Sequence, residues 1–196
     1  MSRRRDQRVP VHLDASGIES LPFPEIKVIM RGAEDLIAQG GRTLLCKILK
    51  GSRDKDVSQR GLDANPAWGF YRDLASDEVM ARIDWTILNG YLQIEYFDRL
   101  PLLTYTPAGL DIEIDSITDE FLARMRKMAG TEADLQFLDA RRDTPRPTLW
   151  KLLEKIEATG DRALVPVLKM WADRAPKKIR ARINTLVATL ERTKES

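Results

Sequence analysis

Residues 76–106, SDEVMARIDWTILNGYLQIEYFDRLPLLTYT, change their apolar period partway along. Val79, Ile83 and Ile87 recur at the spacing of one helix face. Ser76 stands as the N-cap, with Asp77 and Glu78 in the first turn, where the helix dipole favours negative charge. Asn89-Gly90 stops this helix. Tyr91–Tyr96 and Leu102–Thr106 then alternate apolar and polar residues as half-buried strands do. Phe97 to Pro101 is the loop that makes them a hairpin.

Upstream, Ile26, Ile29, Met30, Ala33, Leu36 and Ile37 predict an amphipathic helix over 25–38, ended by Gly40-Gly41. A second helix over 42–50 carries Leu44, Leu45, Ile48 and Leu49 and closes at Gly51-Ser52. Residues 52–61 read as a polar, basic loop with Val57 as its main apolar member. Trp68, Phe70 and Tyr71 read as core and inter-helix packing. Helices followed by a two-stranded hairpin is the order of a winged helix, a plausible nucleic-acid module because one helix and one wing project from a small core. Many winged helices bind proteins instead, so the order alone leaves both roles open.

Residues 1–24 carry Pro10, Gly17, Pro22 and Pro24 with little periodicity and read as a flexible arm. After Gly109, helical patterns appear at 117–129 and 132–140, in an acidic connector spanning 113–144. Arg141 to Pro147 reads as a linker, since two prolines in three residues cannot continue a helix. Helices over 148–158, 162–173 and 177–192 form a C-terminal extension, 145–196, that loosely resembles one HEAT-like repeat. The expected fold is mostly α with a small β-hairpin: a winged helix over 25–112 followed by the helical extension.

Hydrophobic residues make up 43% of the 196 and charged residues 32%, the balance of a globular protein. No apolar run approaches the roughly 20 residues of a membrane span. No apolar signal-peptide core follows the basic start, Met1 to Arg8, so a cytoplasmic protein is expected, nucleoid-associated in a bacterium. The single cysteine, Cys46, precludes an internal disulfide and reads as a small buried hydrophobe, and His12 has no partner nearby in sequence. Net charge is only +2, but it is unevenly placed. Residues 42–60 hold six basic and two acidic side chains, 111–143 nine acidic and five basic, and 146–196 twelve basic and six acidic. Such asymmetry can orient a molecule on nucleic acid, and it is equally what unevenly charged solvated faces look like.

Specific landmarks lie inside this frame. Gly41-Arg42-Thr43-Leu44-Leu45-Cys46-Lys47-Ile48-Leu49-Lys50-Gly51-Ser52 is an apolar helix ending in a basic residue, Gly and Ser. Gly61, Trp68-Gly69, Arg72-Asp73-Leu74, a Ser-initiated helix and Leu88-Asn89-Gly90-Tyr91-Leu92 follow, then Leu103-Thr104-Tyr105-Thr106-Pro107-Ala108-Gly109. In this order they resemble the RQC domain, the winged helix C-terminal to the motor of RecQ helicases, across about residues 25–112. The resemblance implies engagement of duplex ends and junctions by the wing and an adjoining basic loop, with an aromatic wing tip that pries at the terminal base pair. It places Lys50 and Ser52 at the basic-Gly-Ser positions associated with backbone contacts. No Gly-x-x-x-x-Gly-Lys-Ser/Thr phosphate loop occurs, so ATP hydrolysis is not supported, and a stand-alone, non-enzymatic RQC-type protein is expected.

The candidate DNA-binding residues are Lys50, Ser52, Arg53, Lys55, Arg60, Arg72, Arg82, Tyr96, Phe97 and Arg99. The loop cations can neutralise phosphates, and Phe97 or Tyr96 can stack on an unpaired base. The helix from Ser76 has one basic residue, Arg82, against Asp77, Glu78 and Asp84, which argues against base reading from that helix. Lys177, Lys178, Arg180 and Arg182 open the last helix as a secondary basic patch, unfavourable for the helix dipole unless something compensates. The expected partner is DNA, with no cofactor, no catalytic residue and no membrane. The alternative is a protein-interaction adaptor docking on a helicase or nuclease; an enzyme using the tail as a platform has no catalytic constellation to support it.

One cysteine and one histidine cannot supply the four-cysteine zinc subdomain that commonly precedes this domain in RecQ proteins. Purified protein is therefore expected to hold no stoichiometric zinc and to leave ATP unhydrolysed. Elemental analysis finding one zinc per chain contradicts this.

Overall fold

The computed structural model describes residues 8–129, 137–138 and 144–192. The chain divides into two units between Glu113 and Ile114.

In the first unit, α1 (Phe23–Ala33) is followed by a 3-10 turn, Glu34–Leu36, so the helix expected over 25–38 tightens and ends early. α2 (Arg42–Lys50) matches its expected bounds. The basic loop after it contains a short helix, α3 (Lys55–Gln59), where no helix was expected. Asp54 caps α3 by accepting from the Val57 amide at 3.1 Å. α4 (Ser76–Leu88) has Ala75, not Ser76, as its N-cap; Ser76 is the first helical residue, and the Glu78 carboxylate reaches back to the Ala75 amide at 2.9 Å.

β1 (Leu92–Phe97) and β2 (Leu100–Tyr105) pair antiparallel, with Phe97 opposite Leu100. The hairpin loop is therefore only Asp98-Arg99, shorter than the expected Phe97–Pro101, and Asp98 takes the left-handed conformation at φ +53°. Leu103 exchanges backbone bonds with Ala38 and Gly40, both at 2.8 Å, which gives β2 a partner on its other edge. The core draws Ile29, Met30 and Leu36 from the first segment, Leu45, Ile48 and Leu49 from α2, Val79 and Ile83 from α4, and Leu92 and Leu103 from the wing.

α5 (Pro107–Met128) begins ten residues before the helix expected at 117. Thr106 is the reason: its hydroxyl accepts from the Gly109 amide at 3.1 Å, and Pro107 sits in the first turn, where its missing N–H costs nothing. A Cβ on Gly109 would lie 1.9 Å from the Tyr91 carbonyl oxygen, so only glycine lets this turn seat against the start of the wing.

The second unit is helical: the later turns of α5, α6 (Arg146–Thr159), a 3-10 turn Arg162–Leu164, α7 (Val165–Arg174) and α8 (Lys177–Arg192). Its core gathers Phe121, Leu122 and Met125 from α5 with Leu152, Ile156, Leu168, Trp171, Ile183 and Leu186. Residues expected in an acidic connector thus supply part of a core. Arg146 and Pro147, expected in a linker, form the first turn of α6, where proline is tolerated. The helix expected over 132–140 lies mostly outside the described residues; Leu138 is buried and Phe137 packs on Phe121 at 4.8 Å. Among the described residues no helix is long and apolar enough to cross a membrane.

The end of α2 is the tightest junction of the first unit. Gly51 adopts φ +71°, its amide donates to Ile48 O, and the Ser52 amide donates back to Lys47 O, both at 2.9 Å. The same Ile48 carbonyl accepts from the Gly69 amide at 2.9 Å, and Leu49 O accepts from the Tyr71 amide at 2.8 Å. A Cβ on Gly51 would stand 2.9 Å from the Gly69 Cα, a backbone atom that cannot yield. Gly61 has a similar φ of +65° but nothing within 4 Å of such a Cβ. Gly61→Ala is expected to cost about 1–2 kcal/mol, the left-handed penalty alone. Gly51→Ala should cost at least about 1 kcal/mol more, the added term being overpacking. Denaturant titrations showing equal losses contradict the close-approach account.

Candidate nucleic-acid interface

The wing carries its side chains in strict alternation: Leu92, Ile94 and Tyr96 face inward and Gln93, Glu95 and Phe97 outward. This separates the two aromatic candidates. Phe97 is 70% exposed beside the two-residue turn, opposite Leu100 at 60%. Tyr96 is half-buried and already engaged: its hydroxyl donates to Val9 O at 2.9 Å, and the Arg8 guanidinium lies over its ring at 4.9 Å. Arg99 is exposed in the turn, and its carbonyl accepts from the Val9 amide at 3.1 Å.

The cations after α2 are sorted by their internal partners. Lys50, expected among the phosphate contacts, turns inward and donates to Arg72 O at 2.9 Å and to Leu74 O. Its ammonium satisfies carbonyls of the turn before α4. Ser52 accepts from the Asp54 amide through its hydroxyl at 3.2 Å, and its carbonyl accepts from the Trp68 indole N–H at 3.2 Å. Lys47 pairs with Asp54 at 2.5 Å and Asp56 at 3.3 Å. The bonds to the two aspartates hold the Lys47 ammonium above its ordinary pKa, and the bond from Lys47, seconded by the cap bond to Val57, holds the Asp54 carboxyl below its own. Both acidic residues of the loop are thus drawn onto Lys47. Arg53 and Lys55 remain: both are exposed, and neither side chain makes an ion pair with any described residue. They are the loop's uncompensated charges.

The other candidates are more occupied than their sequence context suggests. Arg60 is exposed, with a long contact of 3.5 Å to Gln39 O. Arg72 is exposed, and its Nε donates to Gly69 O at 3.1 Å. Arg82 is not a solvated surface residue. It pairs with Glu25 at 3.4 Å, donates to Glu78 O at 3.0 Å and lies 5.6 Å from the centre of the Tyr71 ring. Tyr71 is buried, and burial together with its bond to Glu25 drives its hydroxyl pKa well up. Phe70, expected in the core, is 51% exposed; it touches Tyr71 edge-on at 4.8 Å.

α4 offers little surface to a groove. Val79, Ala81, Ile83, Asp84, Trp85 and Thr86 are buried, leaving Ser76, Asp77 and Glu78 as its exposed first turn. Asp84 is buried because it holds two segments: it accepts from the Arg42 guanidinium and from the Asp14 amide at 2.9 Å. Residues of the expected arm follow suit, since Glu19 O accepts from the Trp85 indole at 3.4 Å and Ala15, Ile18 and Leu21 pack against the core.

In the second unit, Arg180 donates to Ala172 O, Ala175 O and Asp173 O, at 2.8, 3.2 and 3.4 Å, capping the end of α7. Arg182 pairs with Glu157. The compensation that Arg180 and Arg182 require is therefore internal, and the patch reduces to Lys177 and Lys178, both exposed. Among the described residues no group of His, Cys, Asp and Glu is arranged to hold a metal ion. Cys46 is buried, and burial raises its thiol pKa.

Arg8 and Val9, both in contact with the wing, are not among the candidate residues. Their one local signal is Val9-Pro10-Val11, apolar residues flanking a proline, which favours an extended segment able to lie along a neighbour.

Three packed helices, α1, α2 and α4, followed by a two-stranded wing define a winged helix. The model of the RQC domain family matches residues 25–115, and the chain carries an RQC domain over that stretch. RQC domains are DNA-binding and non-catalytic, which supports a general DNA-binding role for residues 25–115. No curated protein and no solved structure matches the chain.

Proposed function

We propose that this RQC domain recognises DNA by structure, at duplex ends, forks and junctions, and reads no base sequence. Phe97 carries the reading. An aromatic ring 70% exposed at the tip of a hairpin has no internal packing to leave, and stacking on an exposed base recovers about 1–3 kcal/mol. Arg53 and Lys55 supply sequence-independent phosphate contacts, each releasing condensed counterions. Arg60, Arg72 and Arg99, exposed as well, add to the cationic surface. The acidic exposed turn of α4 supports the same view, because carboxylates there repel a backbone laid along that helix. Lys177 and Lys178 are a minor, non-specific addition. The protein acts without catalysis of its own.

The test is fluorescence anisotropy with forked, blunt and hairpin-closed duplexes over a range of salt. Arg53→Gln and Lys55→Gln should weaken all three alike and each reduce the salt slope by about 1. Phe97→Ala should remove the preference for open ends over closed ones, roughly tenfold or more, and leave the slope unchanged. Three variants that bind like the parent overturn the assignment. A parent that binds no DNA even at low salt favours the adaptor role, with a helicase or nuclease as the partner.

A further inference from the structure

Phe70 is a phenyl ring left in solvent on a stretch of backbone that is otherwise tightly held. The amides on either side of it are spent on α2: Gly69 donates to Ile48 O at 2.9 Å and Tyr71 to Leu49 O at 2.8 Å. The Trp68 indole donates to Ser52 O at 3.2 Å, and the Lys50 ammonium draws in the carbonyls of Arg72 and Leu74. Phe70 itself is 51% exposed, steadied by its edge contact with the buried Tyr71 ring. Its surroundings are cationic. Arg72 is exposed, and a Cβ on Gly69 would lie 3.1 Å from its Nη2, so the guanidinium lies against the residue before Phe70. A Cβ on Gly51 would stand 2.9 Å from the Gly69 Cα, so the chain leaving Gly51 for Arg53 starts beside the same turn. With about 3.8 Å between consecutive Cα atoms, the Cα atoms of Phe70 and Arg53 are at most about 16 Å apart. A strand with a phosphate about every 3.4 Å along a duplex axis covers that length within about five nucleotides.

We propose that Phe70 is a second stacking position, which takes one unpaired base of the strand whose phosphates meet Arg53 and Arg72. The ligand is single-stranded DNA leaving a duplex end, bound without base preference, because every base offers a π-face and the ring offers no hydrogen bond. Charge selects this occupant over an apolar protein segment: Arg53, Lys55 and Arg72 are exposed cations, while Asp54 and Asp56 are already drawn onto Lys47. Phe70 differs from Phe97 in what holds it. Phe97 stands at the free end of a hairpin, beside a two-residue turn, whereas the turn of Phe70 is bonded to the end of α2. A ring on a fixed backbone gives up little freedom on binding, which suits holding a base already released rather than opening a pair. The junction of Gly51 with Gly69 then sets the ring and the cations relative to one another. This inference rests on the proposed contact of the Arg53–Lys55 loop with DNA.

The experiment compares Phe70→Ala, Phe70→Leu and Phe70→Trp in the full chain with the parent and with Phe97→Ala and Arg53→Gln. The probes are a fork with oligothymidine arms, the same fork with abasic residues in place of the arm thymidines, and a hairpin-closed duplex, each over a range of salt. Phe70→Ala and Phe70→Leu should weaken binding to the thymidine-armed fork roughly tenfold, since the stacked ring is gone. Their salt slope should stay that of the parent, because no phosphate contact is lost, and the abasic fork and the closed duplex should bind as before. Phe70→Trp should bind the thymidine-armed fork at least as tightly as the parent. Leucine keeps the apolar bulk without the ring, so a Phe70→Leu variant that binds like the parent overturns stacking. Equal weakening on thymidine and abasic arms also overturns it, the ring then merely supporting the turn. If every Phe70 variant matches the parent while Phe97→Ala and Arg53→Gln lose affinity, the Phe70 proposal fails and the wing reading stands, leaving the exposed ring to a protein partner. A parent that binds none of the three probes takes both proposals down together.

Discussion

Gly51 and Gly69 meet backbone to backbone, and much of the first unit is arranged around that meeting. A helix end leaves carbonyls without partners. In α2 they are Lys47, Ile48 and Leu49, and they are satisfied by the amides of Ser52, Gly51, Gly69 and Tyr71. Neither glycine can carry a Cβ without strain, since both have positive φ and the space between them is closed. This contact sets where the chain leaves α2, hence where Arg53 and Lys55 stand. It also draws Lys50 onto the carbonyls of Arg72 and Leu74, which lead directly into α4. One packed junction thus orders the basic loop and the helix that in many winged helices lies in the groove.

Internal pairing then decides what the surface can offer a polyanion. Lys47 absorbs Asp54 and Asp56, so a loop that is nearly balanced by count presents Arg53 and Lys55 outward. Arg82 is withdrawn by Glu25 and Tyr71, and Arg180 and Arg182 by the end of α7 and by Glu157. The same logic makes α4 a structural helix: Asp84 pins Arg42 and the Asp14 amide from inside the fold, and its exposed first turn carries Asp77 and Glu78. The proposed contact with DNA is placed at the hairpin end of the unit for this reason.

How much of this could be read from the sequence depended on the range of the interaction involved. α2 was legible to the residue because glycines bracket an unbroken apolar pattern. The hairpin was legible from alternation, which also separates Tyr96 from Phe97 once the strand bounds are known. α3 was hidden because five residues with one apolar member carry no period, and only the cap at Asp54 marks it. The start of α5 was hidden for the opposite reason. Thr-Pro-Ala-Gly looks like a turn, yet Thr106 caps a helix and Gly109 answers a close approach by Tyr91. The pairing of Lys50, Arg82 and Arg180 and the fastening of Val9 to the wing depend on partners distant in sequence or on backbone carbonyls, and neither leaves a local signature.

The central claim is that DNA meets the wing tip and the Arg53–Lys55 loop while the first turn of α4 stays clear of it. Amide chemical-shift mapping by NMR during titration with a forked oligonucleotide tests this most directly. The account predicts perturbations concentrated at Arg53, Lys55 and Phe97 to Leu100, with Ser76, Asp77 and Glu78 nearly unmoved. Perturbations centred on Ser76 to Glu78, with the wing tip silent, would contradict it.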